Sequence, residues 1–390
     1  MSRRLISRNP DLRRLADEGY EVSIVDARLV VGHVPYVTED GEVSFGTLVS
    51  ALAVAGDETI PPGDHVARFA GRRPCDAEGR PLTSLINSEI DEHVDGIHLR
   101  FLFSQKPEGG YRDHHHQMTS YIAMLAGPAL ALDPSATART YPVVEDDEPD
   151  AVFRYLDTAT SRAGISASAA KLALDKVGII GLGGSGGYIL DHVAKTPVRQ
   201  IHLFDGDVFQ QHTAFRAPGA ASLEQLRGRP FKVDYYTAMY SVMRTGIVPH
   251  PYNLTKDNVD ELKHMSFVFI AIDEGPPKRD IIAALEEFGI AFIDVGMGLY
   301  NVDGVVGGIL RVTTSTPQQR DHAHNRIPFG DADPDDEYEH NIQTGDLNGL
   351  NAALAVVQWR KLYGSYLNLS HEHHSTFTIG TGALNTEDHA

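Results

Sequence analysis

One cysteine, Cys75, stands in 390 residues. A single thiol excludes an intrachain disulfide and any zinc site built on several cysteines. Basic residues are also in short supply: 34 Lys and Arg stand against 53 Asp and Glu, a formal charge of −19. Nucleic-acid binders carry basic surfaces, so this balance argues against one. It favours solubility and suits basic partners. No apolar run has the length that a membrane crossing needs. The opening residues, Met1 to Pro10, carry positive charge but no apolar stretch, so no secretory signal is expected and the chain reads as cytoplasmic. Low-complexity tracts and internal repeats are missing too. What remains is 42% hydrophobic and 22% charged, the balance of a globular protein, with length for two domains.

Glycine, by contrast, is concentrated where it matters. The stretch Lys176–Asp207 opens on Val177-Gly178-Ile179-Ile180, a short apolar run that reads as a buried strand. Gly181, Gly183, Gly184, Gly186 and Gly187 follow at once. A helix pattern runs from about Ser185 to Lys195, with Ile189, Leu190 and Val193 on one face. A second strand, Gln200 to Phe204, ends on Asp205. This is a strand–turn–helix–strand unit whose first turn suits phosphate. Glycines let the backbone approach an anion, and the N–H groups of the helix start face it. Asp205 is placed to accept hydrogen bonds from a ribose. Gly181-x-Gly183-x-x-Gly186 also satisfies the dinucleotide fingerprint, so a nicotinamide-dependent oxidoreductase stands as the alternative.

Residues 1–145 read as an α+β domain of unassigned role. Strands are expected within Glu21–Val34, Glu42–Val54 and His98–Phe103, and a short helix over Met118–Leu125, stopped by Gly127-Pro128. The acidic stretch Val144–Asp150 reads as a linker. His65, His93, His98 and His114-His115-His116 are numerous, with Asp64, Asp113 and Cys75 among them. Three consecutive histidines on a strand alternate faces, and no helical metal spacing occurs. They are read as polar, half-buried side chains. Cys75 follows Arg72 and Arg73, which would lower a thiol pKa, although a small core thiol is the commoner case.

The second domain is expected over 151–390. Ser266–Ile272 reads as a third buried strand ending on Asp273, at the strand end where parallel sheets place ligands. Lys278–Phe288 reads as a helix, Ile290–Asp294 as a fourth strand and Gly304–Thr313 as another. Arg320–Glu339 is acidic and reads as a crossover loop. In the helix expected over Asp346–Tyr363, Leu347, Leu350, Leu354 and Val357 form the stripe, and Trp359 lies on its flank. The histidines of His371-Glu372-His373-His374 are expected to be solvated, in a final strand or an extended end.

The whole set resembles the E1-like adenylating enzymes, the family of the molybdopterin- and thiamine-pathway activators and of ubiquitin-activating enzymes. The resemblance runs from about Arg162 to Val312. It rests on Gly181-Leu182-Gly183-Gly184-Ser185-Gly186, on Asp205-Gly206-Asp207, on Thr213-Ala214-Phe215-Arg216, on Lys232 at a helix start and on Asp273 at a strand end. The architecture, with a domain ahead of this unit, resembles members encoded in bacterial ubiquitin-like conjugation operons. The fold implied is α/β: a Rossmann-like adenylation domain on a mostly parallel sheet, preceded by a smaller α+β domain, with an acidic crossover loop near 313–340.

The activity implied is ATP-dependent adenylation of the C-terminal carboxylate of a ubiquitin-like protein. The resemblance gives Arg216 and Lys232 to the phosphates, Asp273 to Mg2+, and Asp207 and Thr213 to nucleotide binding. Arg162, or else Arg154, would reach the ATP of a second subunit in a homodimer, with an E2-like protein as a further partner. Two departures stand out. Thr213 replaces the family's asparagine, which favours a degenerate scaffold as a further alternative. No cysteine follows the glycine turn. A covalent intermediate would therefore fall on Cys75, on Ser315 within Thr313-Thr314-Ser315-Thr316 with His322 or His324 as base, or would not form.

Overall fold

The computed structural model describes residues 2–146, 150–273, 275–329 and 342–389. They divide into two compact units: Met1–Val144 with Ser161–Ala163, and Glu145–Thr160 with Gly164–Ala390.

In the first unit β1 (Glu21–Val25) turns at Asp26-Ala27 into β2 (Arg28–Val37), so the first expected segment is a hairpin. Then come β3 (Val43–Ala51), a ribbon of β4 (Val54–Ala55) and β5 (Glu58–Thr59), β6 (Val66–Ala70), β7 (Ile86–Val94) and β8 (Ile97–Ser104). Six of them form an antiparallel sheet in the order β1-β2-β3-β6-β8-β7. Alternation along β2 divides the faces. Leu29 and Val31 join Leu48, Phe69 and Phe103 under the helix His114–Leu132, while Val30 packs with Val49, Val94 and Leu99 on the other side.

That helix corrects the expectation of a short one stopped before Pro128. It continues through Gly127 and Pro128 to Leu132. An internal proline costs about 3 kcal/mol. Leu125 and Ala129, buried on either side of it, and Met118, Tyr121 and Ile122 before it outweigh that cost. Asp113 caps the helix by accepting from the His116 N–H at 2.7 Å. The three histidines therefore form a helical first turn, not a strand. His114 is buried, accepts from the Ala53 N–H at 3.2 Å and is held neutral by burial.

The second unit is one eight-stranded sheet: β9 (Lys176–Ile180), β10 (Gln200–Phe204), β11 (Ile247–His250), β12 (Phe267–Ile270), β13 (Phe292–Val302), β14 (Val305–Ser315), β15 (Glu372–Thr378) and β16 (Ala383–His389). The order is β11-β10-β9-β12-β13-β14-β15-β16. The first five run parallel and the last three are added antiparallel. Chain direction across the sheet reverses between β9 and β12, the crevice where doubly wound sheets bind ligands. Both faces are covered. Val177, Ile179, Phe267 and Phe269 meet helices Gly184–Val193 and Gly345–Leu362, while Ile180, Val268 and Ile270 meet helix Pro276–Glu287. Arg244, fully buried, closes the far end of the glycine-turn helix. It donates to the carbonyls of Ala194, Thr196, Val198 and Thr245, and burial pushes its pKa down to about 10.

Three expectations for this unit change. The inward face of helix Gly345–Leu362 is Asn348, Asn351, Ala352, Ala355, Val356 and Trp359, not the leucine stripe; Val357 is exposed. Small alanines let the helix lie close on the sheet, and Trp359 sits among Phe267, Phe269 and Tyr363 as core, not on a flank. Thr313, Thr314 and Ser315 lie inside β14 and are buried, instead of following a strand. The tail forms the hairpin β15–β16, and His374 is buried against Thr313, not solvated.

Two histidines carry a pH consequence. His202, 3.0 Å from His250, is pushed down to about 4 by burial and then by His250. His374 is pushed down to about 4 by burial, with Arg326 and Arg311 adding to it. Folded pKa values lie below the unfolded value of 6.5, so protons bind the unfolded chain first. Stability therefore falls as pH drops from about 6.5 towards 4. Thermal melts across this window should show the fall, with His374→Gln flattening it. A melting temperature indifferent to pH there contradicts the assignment.

Candidate functional site

The site is built at the carboxyl ends of β9, β10 and β12. After Ile180 the chain turns through Gly181, whose φ of +85° favours glycine. An added Cβ there would lie 2.5 Å from the Ala271 carbonyl oxygen beyond β12. At Gly186 it would lie 1.8 Å from the Gly181 carbonyl oxygen, at Gly184 1.9 Å from Asn348 Nδ2 and at Gly187 2.4 Å from the Tyr236 hydroxyl. At Gly181 and Gly186 the obstacle is backbone, and at Gly184 and Gly187 it is the end of a packed side chain. Gly183 alone of this turn faces open space within 4 Å. It is the position where the backbone has room to meet a ligand, at the start of helix Gly184–Val193.

Asp205, at the end of β10, organises this turn. Its Oδ2 accepts from the Leu182 N–H at 2.7 Å and its Oδ1 from the Asp207 N–H at 2.9 Å. Lys232 opens helix Lys232–Ser241 and reaches back, with Nζ 3.2 Å from Asp205 Oδ2 and 2.7 Å from Asp207 Oδ2. Asp205 and Lys232 are buried, whereas the Asp207 side chain is 68% exposed. The ammonium thus bridges one buried and one solvated carboxylate. Gly206 is fixed by its N–H donating to Asn253 Oδ1 at 2.9 Å.

Arg216 follows the short helix Gln211–Ala214 and is half-buried. Its Nε is buried and has no hydrogen-bond partner among the described residues. Thr213 is buried in that helix. Asn348 lies over the turn: Ser185 Oγ donates to its Oδ1 at 2.9 Å, and its Nδ2 donates to the Arg216 carbonyl at 3.3 Å. Asp273 is exposed just past β12. Nearby in sequence Lys278, buried, pairs with buried Asp294 at 2.8 Å, and Arg311 holds the other Asp294 oxygen at 2.7 Å.

Arg162 belongs to the first unit, where its guanidinium stacks 5.2 Å from the Tyr141 ring centroid. It lines an open cleft of about 510 Å³ with Arg13, Arg14 and Arg139 beside Asp17 and Glu18. Arg154 belongs to the second unit, and its Nε donates to the Ser241 carbonyl. The second unit, taken by itself, assembles its glycine turn, Asp205, Asp207 and Lys232 without either arginine.

The nucleophile candidates change as well. Cys75 is fully buried, its backbone bridged to Val37 and Pro81, and burial pushes its thiol pKa up, outweighing the pull of Arg73 and Arg72. Ser315 is buried in β14 and accepts from Arg320 at 3.3 Å. His322 Nε2 meets the Thr314 carbonyl and His324 meets Glu286, so neither is hydrogen-bonded to a strand hydroxyl. The acidic crossover is partly outside the described residues: 330–341 are not covered, while Asp321–Arg326 is a short helix.

Asn348, Asn253 and the Lys278–Asp294–Arg311 cluster were not singled out from sequence. For Asn348 the signal was there: Asn348 and Asn351, three apart, sit polar on the inward face of a helix of small residues.

A family described as a domain of unknown function, DUF6791, matches residues 10–158. No curated protein matches. Among solved structures the chain is similar to PaaA in its selenomethionine form, with TM-score 0.48 and 14% identity over 69% of this chain and 82% of that one. It is similar to E. coli MccB with MccA-N7isoASN, with TM-score 0.46 and 15% identity over 59% and 67% of the two chains. For E. coli MccB with ATP the values are 0.44 and 16%, over 59% and 67%. Overlap this loose leaves strand order and site geometry to carry the reading.

The two kinds of glycine separate by experiment. Gly186→Ala drives a Cβ into backbone and should cost about 1–3 kcal/mol or more. Gly183→Ala meets no neighbouring atom and should cost clearly less. Denaturant unfolding measures both. Equal losses contradict the division.

Proposed function

We propose that the second unit binds ATP at the glycine turn and adenylates the C-terminal carboxylate of a ubiquitin-like protein. One observation carries this reading. A turn with room at Gly183, a buried lysine held between two aspartates and an arginine whose buried Nε has no partner among the described residues occur together at one switch point. Phosphate oxygens fit that set: backbone N–H groups at a helix start, one ammonium and one guanidinium donor. A nicotinamide cofactor would use the same turn but gives Arg216 and Lys232 nothing to do.

In the proposed reaction a carboxylate oxygen attacks the α-phosphorus. The bond from that phosphorus to the bridging oxygen breaks, its electron pair leaves with pyrophosphate, and no proton moves. Charge grows on the α-phosphate and the leaving group, where Arg216 and Lys232 neutralise it. Asp205 holds the turn in place and offers its remaining lone pairs to the ribose. Asp273, an exposed oxygen donor at the strand end, would hold Mg2+, whose charge when bound offsets that of the phosphates.

Cys75 and Ser315 are both buried, which supports direct passage of the adenylate to an acceptor outside this chain, such as an E2-like protein. A homodimer belongs to the same proposal, with the partly exposed leucine flank of helix Gly345–Leu362 as its support now that Trp359 is core.

ATP–pyrophosphate exchange stimulated by the protein substrate tests the assignment. Asp273→Ala should abolish exchange while the fold survives, since the residue is exposed. Arg216→Ala and Lys232→Ala should each lose roughly 10²-fold or more. Wild-type exchange in all three variants would sink it.

A further inference from the structure

The hairpin β7–β8 of the first unit brings three metal-ligating side chains to one face. We propose that Asp91, His93 and His98 form a binding site for a divalent transition ion of the zinc class. This is independent of the adenylation reading.

The backbone makes the site. Asp95 and Gly96 both adopt left-handed conformations, φ 46° and 80°, the two-residue turn that locks a hairpin's register. That register sets His93 directly opposite His98. Opposed residues share a face. The shift in pairing between Glu89 and Glu92 marks a bulge, and Asp91 lies within it. The opposite face of the tip is anchored: Val94 and Leu99 are buried in an apolar cluster with Val30 and Val49. The ligands therefore stand on a braced scaffold while facing solvent themselves.

The geometry is close to what an ion needs. One donor atom from each residue lies within 4.8 Å of the others. His98 Nε2 is already 2.7 Å from Asp91 Oδ1. The His93 and His98 rings lie parallel, 6° apart in tilt, with centroids at 4.4 Å. Around tetrahedral zinc, with bonds near 2.0–2.1 Å, donors sit roughly 3.3 Å apart. Small side-chain rotations of exposed residues close that difference.

Ligand chemistry selects the ion. Two imidazoles and one carboxylate suit zinc and its neighbours, not magnesium or calcium, which take oxygen ligands. Three protein ligands leave a coordination position for water or for an atom of another molecule. The alternative, polar histidines with no ion, leaves a cross-strand stack and one carboxylate hydrogen bond.

The test uses the full chain without an affinity tag. Calorimetric titration with Zn2+ should give one site that excess Mg2+ does not displace, and Co2+ should develop visible absorption bands. His93→Ala, His98→Ala and the double variant should each weaken binding by more than about tenfold, the scale seen even for outer-shell losses. Their metal-free melting temperatures should match the wild type, because both side chains are exposed. His324→Ala, an exposed histidine paired with Glu286 in the second unit, should bind as the wild type does. No binding by the wild type, or a loss below about tenfold in the double variant, overturns the site.

Discussion

Asp205 accepts hydrogen bonds or ion-pair contacts from three donors on three separate segments: the Leu182 N–H, the Asp207 N–H and Lys232 Nζ. The first lies on the glycine turn, the second just past β10 and the third at a helix start. One buried carboxylate therefore holds the turn and the lysine in a single arrangement. A lone buried charge is costly, so neither partner is stable without the other. Removing Lys232 would leave Asp205 buried with its two backbone donors but without its cation. The exposed Asp207 is the partner that solvent can replace.

That constraint explains why the central β-turn-α-β unit was legible from sequence. Short apolar strands, a glycine run and Asp205 lie within one local stretch, and parallel strands buried on both faces read as continuous apolar runs. Glycine roles were less legible. Sequence alone does not separate Gly183, which faces open space, from Gly186, which would strike backbone. The leucine stripe of the last helix misled because both flanks are apolar, and the buried flank uses alanine, asparagine and Trp359. Pro128 misled because tertiary burial overrides a local breaker. Thr313 to Ser315 read as a turn by composition, yet pairing with β13 and β15 holds the first three residues of that run in the sheet.

The chain separates two chemistries. The glycine turn, Asp205, Asp207 and Lys232 gather in the second unit, while exposed imidazoles gather on a hairpin of the first. The lone thiol is buried and burial raises its pKa, which disfavours a thiolate nucleophile on Cys75. Thr213 stands where the resembled family has asparagine, and Asn348 brings an amide to the neighbouring Arg216 carbonyl from a helix more than a hundred residues later.

The central claim is that the switch point takes a nucleoside triphosphate and not a dinucleotide. Calorimetric titration of the full chain with ATP–Mg2+ and, separately, with NADH measures this most directly. ATP should bind with one site per chain and lose affinity in Arg216→Ala, while NADH gives no heat of binding. Tight NADH binding with none for ATP would contradict the account.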